Sequence, residues 1–306
     1  MKRCRSRLQL VRRIPKQTLI RAGENDPNIN GMSYNSARDE LFLADFDNKV
    51  VRAMPLRDNA GDLREVYRAP PDRSSLIRSV CHMSESDTLL VCSYEGQPWL
   101  VVLSRNGSEW CEAQREETEG IAYISSALSD SRVLIGHMGS TYIELFLVES
   151  GPRIARVRRI HVPEEYNWFS ATCGSNTLVA MSYRDQSVRV HRLLGDGLEE
   201  LARIQLKTSD RLLWLADRLL VADYDSEKQY DAVIELEVSG TRLERRRELI
   251  ATSEKIRVSR LCAVNDGLAI FDLNSKDILH YSFAEKLELN RPARLAIDHK
   301  ESDNVT

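Results

Sequence analysis

The stretch LFLADFDNKVVR, Leu41–Arg52, decides the fold. An apolar run closes on Asp45-Phe46-Asp47, a polar turn follows at Asn48-Lys49, and a second apolar run starts at Val50. Strand, turn, strand is the signature of a β-hairpin. Two acids around a phenylalanine would also suit a metal or catalytic site, so the rest of the chain has to decide between chemistry and architecture.

The unit recurs. DELFLADFDNKVVRAMPL starts at Asp39, DTLLVCSYEGQPWLVVLS at Asp87, SRVLIGHMGSTYIELFLV at Ser131, NTLVAMSYRDQSVRVHRL at Asn176, DRLLVADYDSEKQYDAVIELEV at Asp217 and DGLAIFDLNSKDILHYSF at Asp266. Their first apolar residues are Leu41, Leu89, Val133, Leu178, Leu219 and Leu268. These fall roughly 45 residues apart, the spacing of one supersecondary unit per repeat. A short strand precedes each hairpin (INGMSY, IRSVCHM, IAYISSAL, WFSATC, RLLWL, IRVSRLCAV). A more charged one follows (LREVYRA, EWCEAQREE, RIARVRRIHV, LEELARIQL, RLERRRELI, LELNRPARLAI). Each unit therefore reads as four antiparallel strands. LLGDGLEELARIQL imitates a helix, but its place in the repeat makes it a strand.

The expected fold class is all-β: a β-propeller of six four-stranded blades, with a partial seventh left open, closed by pairing of the terminal segments. The expected limits are a basic N-terminal segment with the closing strand (1–27), one propeller domain (28–297) and a polar tail (298–306). RLQLVRRIPK near the N-terminus resembles the fourth-strand segments and is expected to join the last blade, although LELNRPARLAI competes for that place.

LFLADFDNKVVR resembles the core of an NHL repeat, or of the related six-bladed propellers with YWTD-type repeats; LLVADYDSEKQYDAVIEL at Leu219 is similar with a longer turn. The other four units keep the hairpin and lose the motif, with Ser93 or His137 standing where Asp45 and Asp223 stand. The regular Gly-His and Trp-Asp marks of WD repeats are absent, which leaves a degenerate WD40-like member open. The resemblance implies a propeller. Its lactonase-like branch implies calcium at the channel mouth, held by an inner carboxylate and asparagines. Asn30, Asn167 and Asp210 stand near the starts of first strands, where such ligands would lie.

Composition narrows the function. No apolar run approaches the ~18–20 residues of a membrane span, and a net charge of -3 argues against nucleic acid as a whole-surface partner. Lys2, Arg3, Arg5, Arg7, Arg12, Arg13, Lys16 and Arg21 make the N-terminus basic. The preferred reading of this run is a charged edge strand; a mitochondrial presequence, a nuclear patch or a nucleic-acid arm stays open. The six cysteines and six histidines show no zinc spacing. Free thiols in a reducing, cytoplasmic setting are expected, with a nuclear one open.

No catalytic residue, metal ligand or cofactor is assigned. Aligned on the marker, Asp45, Ser93, His137, Ser182, Asp223 and Asp272 each close a strand before a turn. Their expected task is to accept turn N–H groups, while the large residue after each, such as Phe46, packs between blades. Eleven residues before the marker stand Asn30, Arg78, Asn167 and Arg257, with Tyr166 and Trp168 flanking Asn167. Exposed arginines with aromatics are typical binding anchors. Asp47, Asn48, Arg184, Asp185 and Glu227 in the turns would surround them. The leading expectation is a monomeric, non-enzymatic module that binds a protein or peptide on this face. The alternatives are a calcium-dependent hydrolase and a nucleic-acid binder that uses the N-terminal arm.

Overall fold

A computed structural model describes residues 8–56, 63–71, 76–94, 98–118, 122–129, 131–137, 141–149, 152–162, 168–175, 177–206, 211–215, 218–239, 242–265 and 267–283. Leu41–Ala44 are all buried because each face of the strand meets a different neighbour. Leu41 and Leu43 pack with Phe271 and Ala269, while Phe42 and Ala44 pack with Val80 and Trp99. That double burial explains a continuous apolar run where a one-sided sheet would alternate.

The described strands form four antiparallel four-stranded sheets and one eight-stranded sheet, whose two antiparallel halves of four meet only at the parallel pair Arg203↔Arg242. Blade 1 holds β2 (Ile29–Asn35), β3 (Glu40–Asp45), β4 (Val50–Pro55) and β5 (Arg64–Arg68). Blade 2 holds β6 (Leu76–Met83), β7 (Thr88–Tyr94), β8 (Trp99–Asn106) and β9 (Glu109–Glu117). Blade 3 holds β10 (Ala122–Ser129), β11 (Arg132–His137), β12 (Tyr142–Val148) and β13 (Ile154–His161). Blade 4 holds β14 (Trp168–Ser175), β15 (Leu178–Tyr183), β16 (Ser187–Leu193) and β17 (Leu198–Gln205). Blade 5 holds β18 (Leu212–Leu215), β19 (Arg218–Asp225), β20 (Tyr230–Ser239) and β21 (Arg242–Ile250). Blade 6 holds β22 (Val258–Val264), β23 (Gly267–Asp272), β24 (Ile278–Phe283) and, as its fourth strand, β1 (Leu8–Ile14).

The first strands β2, β6, β10, β14, β18 and β22 touch in a closed cycle, β22 returning to β2. This is the inner ring of an all-β propeller. Two inner contacts depend on glycine. A Cβ on Gly31 would lie 2.7 Å from the Ser79 Cα, and one on Gly174 would lie 2.2 Å from the Trp214 ring.

Closure comes from the N-terminus. β1 pairs antiparallel with β24 from Leu8↔Phe283 to Ile14↔Ile278. Leu8 enters the core shared by blades 5 and 6, and Ile14 the core shared by blades 6 and 1. The expectation that RLQLVRRIPK joins the last blade holds; its competitor LELNRPARLAI lies outside the described residues.

Three buried charges on third strands are paired with charges on the adjacent fourth strand. Glu144 on β12 is 3% exposed and pairs with Arg156 and Arg159 of β13 at 2.9 and 3.0 Å. Glu235 on β20 is 1% exposed and pairs with Arg247 of β21 at 2.7 Å and Arg246 at 3.3 Å. Arg189 on β16 pairs with Glu200 of β17 at 3.2 Å. The guanidiniums of Arg156, Arg159, Arg246 and Arg247 on the fourth strands are therefore paired with buried glutamates.

Candidate functional site

The turn face is built around Asp45. Its carboxylate accepts the Asn28 and Asn48 backbone N–H groups at 3.3 and 3.4 Å, and the Asn48 Nδ2 at 2.8 Å. It also pairs at 2.9 Å with Arg52, which is itself 1% exposed. Asp272 repeats the turn bonds in blade 6, accepting from the backbone N–H groups of Arg257, Asn274 and Ser275 and from the Ser275 hydroxyl. Ser93 does related work by accepting the Trp99 N–H at 2.8 Å. These positions are architectural.

The connector between β1 and β2 covers the first turn. Asn48 Nδ2 donates to the Asn25 carbonyl, the Asn25 N–H donates to Asn48 Oδ1, and Asn28 Nδ2 donates to Asp47. Glu24 reaches Arg52 at 2.5 Å and Arg68 at 3.3 Å. Burial pushes the Glu24 carboxyl up, but the Arg21 N–H and the two guanidiniums outweigh it and hold it below its ordinary range. Asp47 stays exposed, but both it and Asn48 serve the connector.

Asn30 and Arg78 do come together. The register places each as the extra residue of a β-bulge, between Ile29 and Gly31 and between Ile77 and Ser79. Such bulges re-aim a side chain. Arg78 donates to Asn30 Oδ1 at 3.1 Å and lies 5.9 Å from the centre of the Phe46 ring. In blade 6 the bulge residue is Ser259, not Arg257. The β22–β23 hairpin closes at Val264↔Gly267, tighter than Asn35↔Glu40 in blade 1, so counting back from the marker slips by two positions. Arg257 instead lies over Tyr224 at 5.3 Å, and both belong to this face.

Sequence reasoning missed Arg260 and Arg211. Arg260 donates to the Asn30 carbonyl, to Asn30 Oδ1 at 3.5 Å and to the Ser259 carbonyl at 2.7 Å. Arg211 donates to the same Ser259 carbonyl at 3.1 Å. Both stand in the short first-strand segments but off the counted position: Arg260 follows the bulge residue Ser259, and Arg211 stands only eight residues before the marker Leu219. Arg211, Arg260, Asn30 and Arg78 thus form an arc across blades 5, 6, 1 and 2. Asn30 Oδ1, the oxygen a calcium ion would need, receives two guanidiniums, an arrangement that repels a cation and does not favour the hydrolase alternative.

The other turn residues serve their own hairpins. Burial pushes the Asp185 carboxyl up, but bonds from Ser187 and Arg189 outweigh this and lower it; the Arg189 contact is 2.6 Å. Arg184 and Glu227 are exposed. Tyr166, Asn167 and Asp210 lie outside the described residues, as does the Trp168 side chain. Among the described residues no group of three or more His, Cys, Asp or Glu side chains could hold a metal ion, and no helix is long and apolar enough to cross a membrane.

No protein-family model matches this chain, and no curated protein matches it in sequence. Solved structures do match. A chain in the crystal structure of the mitotic checkpoint complex aligns with a TM-score of 0.62 at 10% identity, covering 90% of this chain and 94% of that one. The WD40 β-propeller domain of Doa1 aligns with a TM-score of 0.59 at 9% identity, covering 86% and 81%. The β-propeller domain of Cps50 (Swd1) from Myceliophteria thermophila aligns with a TM-score of 0.58 at 14% identity, covering 85% and 84%. The fold is a β-propeller. At these identities the likeness carries the architecture alone.

Proposed function

We propose that this propeller is a non-enzymatic interaction module that binds a protein or peptide on the face carrying the Asp45-type turns. One observation carries the reading: Arg260, Asn30, Arg78 and Phe46 form a chain of successive contacts across three blades. Arginine and aromatic side chains are the commonest binding anchors, and Arg257 on Tyr224 extends the same surface. The neighbour from the mitotic checkpoint complex is part of a complex, which agrees with such a role. A six-bladed count over the whole chain, a kinship with NHL- or YWTD-type repeats, a monomeric state and a cytoplasmic or nuclear setting belong to the same reading.

The test is affinity purification with the wild-type chain and with an Arg78→Ala/Arg260→Ala variant, followed by titration of the recovered partner against both. Loss of two anchors is expected to weaken binding by at least about 30-fold, the equivalent of one hot spot. Equal affinity for both chains refutes the face. Calcium-dependent hydrolysis of a lactone or ester by the purified chain refutes the non-enzymatic role.

A further inference from the structure

The opposite end of blades 1 and 2 carries a second site, independent of the face above. The turn after β2, the start of β3, the end of β4, the start of β5 and β8 surround a cavity of about 370 Å³ lined by Arg38, Glu40, Pro55, Arg64 and Arg105. That size lies within the ~300–1,000 Å³ of small-ligand sites. Its wall is three guanidiniums, one carboxylate and one proline ring, which suits a charged guest rather than an apolar one.

Glu40 forms the floor. It is 4% exposed and holds Arg64 Nη2 and, at 3.2 Å, Arg105 Nη1. Arg105 is fixed from the other side by the Trp110 ring, 5.3 Å from its guanidinium carbon. Arg38 stands at the rim, 3.5 Å from Asp87. Asp87 is held in turn by His82 at 3.0 Å and by Asn35. Two carboxylates thus answer three guanidiniums.

The donors outnumber their acceptors. Each guanidinium carries five N–H groups. Among the described residues, Arg64 bonds to Glu40, Arg38 to Asp87, and Arg105 to Glu40 and the Gly107 carbonyl. Glu144 and Glu235 show that a buried glutamate held by arginines is a recurrent structural device here. What sets Glu40 apart is the open volume, with a third guanidinium that is not bound to the glutamate.

We propose that this cavity is an oxyanion site that takes a phosphate group, free or carried on a partner's side chain. A carboxylate offers two oxygens. A phosphate offers three, enough to meet guanidiniums converging from Arg38, Arg64 and Arg105, and it carries the charge that the site leaves unanswered.

Calorimetric titration of the full chain with inorganic phosphate, with a phosphoserine peptide and with its unphosphorylated counterpart tests the site. Saturable binding that requires the phosphate group is expected. Binding of phosphate alone marks a free-anion site, and binding of the phosphopeptide alone marks a partner-borne group. Arg64→Ala and Arg38→Ala are each expected to weaken binding at least tenfold, while Arg203→Ala on the distant rim of blade 4 leaves it unchanged. Arg64→Ala strips a buried carboxylate of one partner and risks unfolding. Arg38→Ala leaves both Glu40 pairs in place and carries the test alone if needed. Absence of saturable binding by every probe, or undiminished binding by folded Arg38→Ala, overturns the proposal.

Discussion

Asp45→Ala is the substitution that best separates turn chemistry from buried charge. Asp45 is 0% exposed and Arg52 is 1% exposed. Removing the carboxylate takes away the acceptor of three turn hydrogen bonds and one of the two carboxylates facing a buried guanidinium. Breaking a buried pair from one side costs about 3–5 kcal/mol. Asp272→Ala supplies the control. It loses an equivalent set of turn bonds, but its carboxylate has no guanidinium partner among the described residues. That loss should amount to about 1–3 kcal/mol. Asp45→Asn keeps an acceptor for the turn and should fall between the two. Urea unfolding followed by tryptophan fluorescence measures all three. Equal losses for Asp45→Ala and Asp272→Ala would show that the Arg52 pair contributes nothing, and the account of this turn would fail.

Three further outcomes follow from the geometry. Burial, aided by the nearby Arg189 charge, lowers His191 from 6.5 to about 4. The folded state therefore resists a proton that the unfolded chain accepts, so stability is intact above pH 6.5 and falls as the pH drops toward 4, by about 3 kcal/mol in full. His191→Gln should flatten that part of the stability–pH curve, and an unchanged curve would refute the assignment. Alkylation at pH 8 with peptide mass mapping should modify exposed Cys111 well before Cys92 and Cys262, whose thiols burial pushes up to about 11 and about 12; equal rates would contradict the packing. Gly31→Ala and Gly174→Ala should each cost about 1–3 kcal/mol through overpacking, read by thermal melting, and a neutral Gly31→Ala would mean that β2 and β6 can separate freely.

The strands were legible because both of their faces are buried, which makes runs such as Leu41–Ala44 continuously apolar. The closing strand was legible from the likeness of RLQLVRRIPK to the fourth-strand segments such as RIARVRRIHV. Arg257 was misaligned because a tighter β22–β23 turn shifts the count without leaving a mark in the downstream hairpin. Arg52, Glu144, Arg189 and Glu235 were not legible as buried, because a charged residue inside a strand is ordinarily solvated. Their partners stand on an adjacent strand or, for Arg52, in the connector that also engages Asn48. A repeat read one unit at a time carries no sign of that connector.

The pairing of β1 with β24 also sets a clock. Residues 8–14 are made well before their partners at 278–283. At ~5–20 residues per second, synthesis keeps the two strands apart for on the order of 10–50 s. Throughout that interval Leu8 and Ile14 lack the cores that later bury them, and blades 1 to 5 must form as an open arc. Of the described strands, β1 is made before all the others yet can dock only after β24 exists.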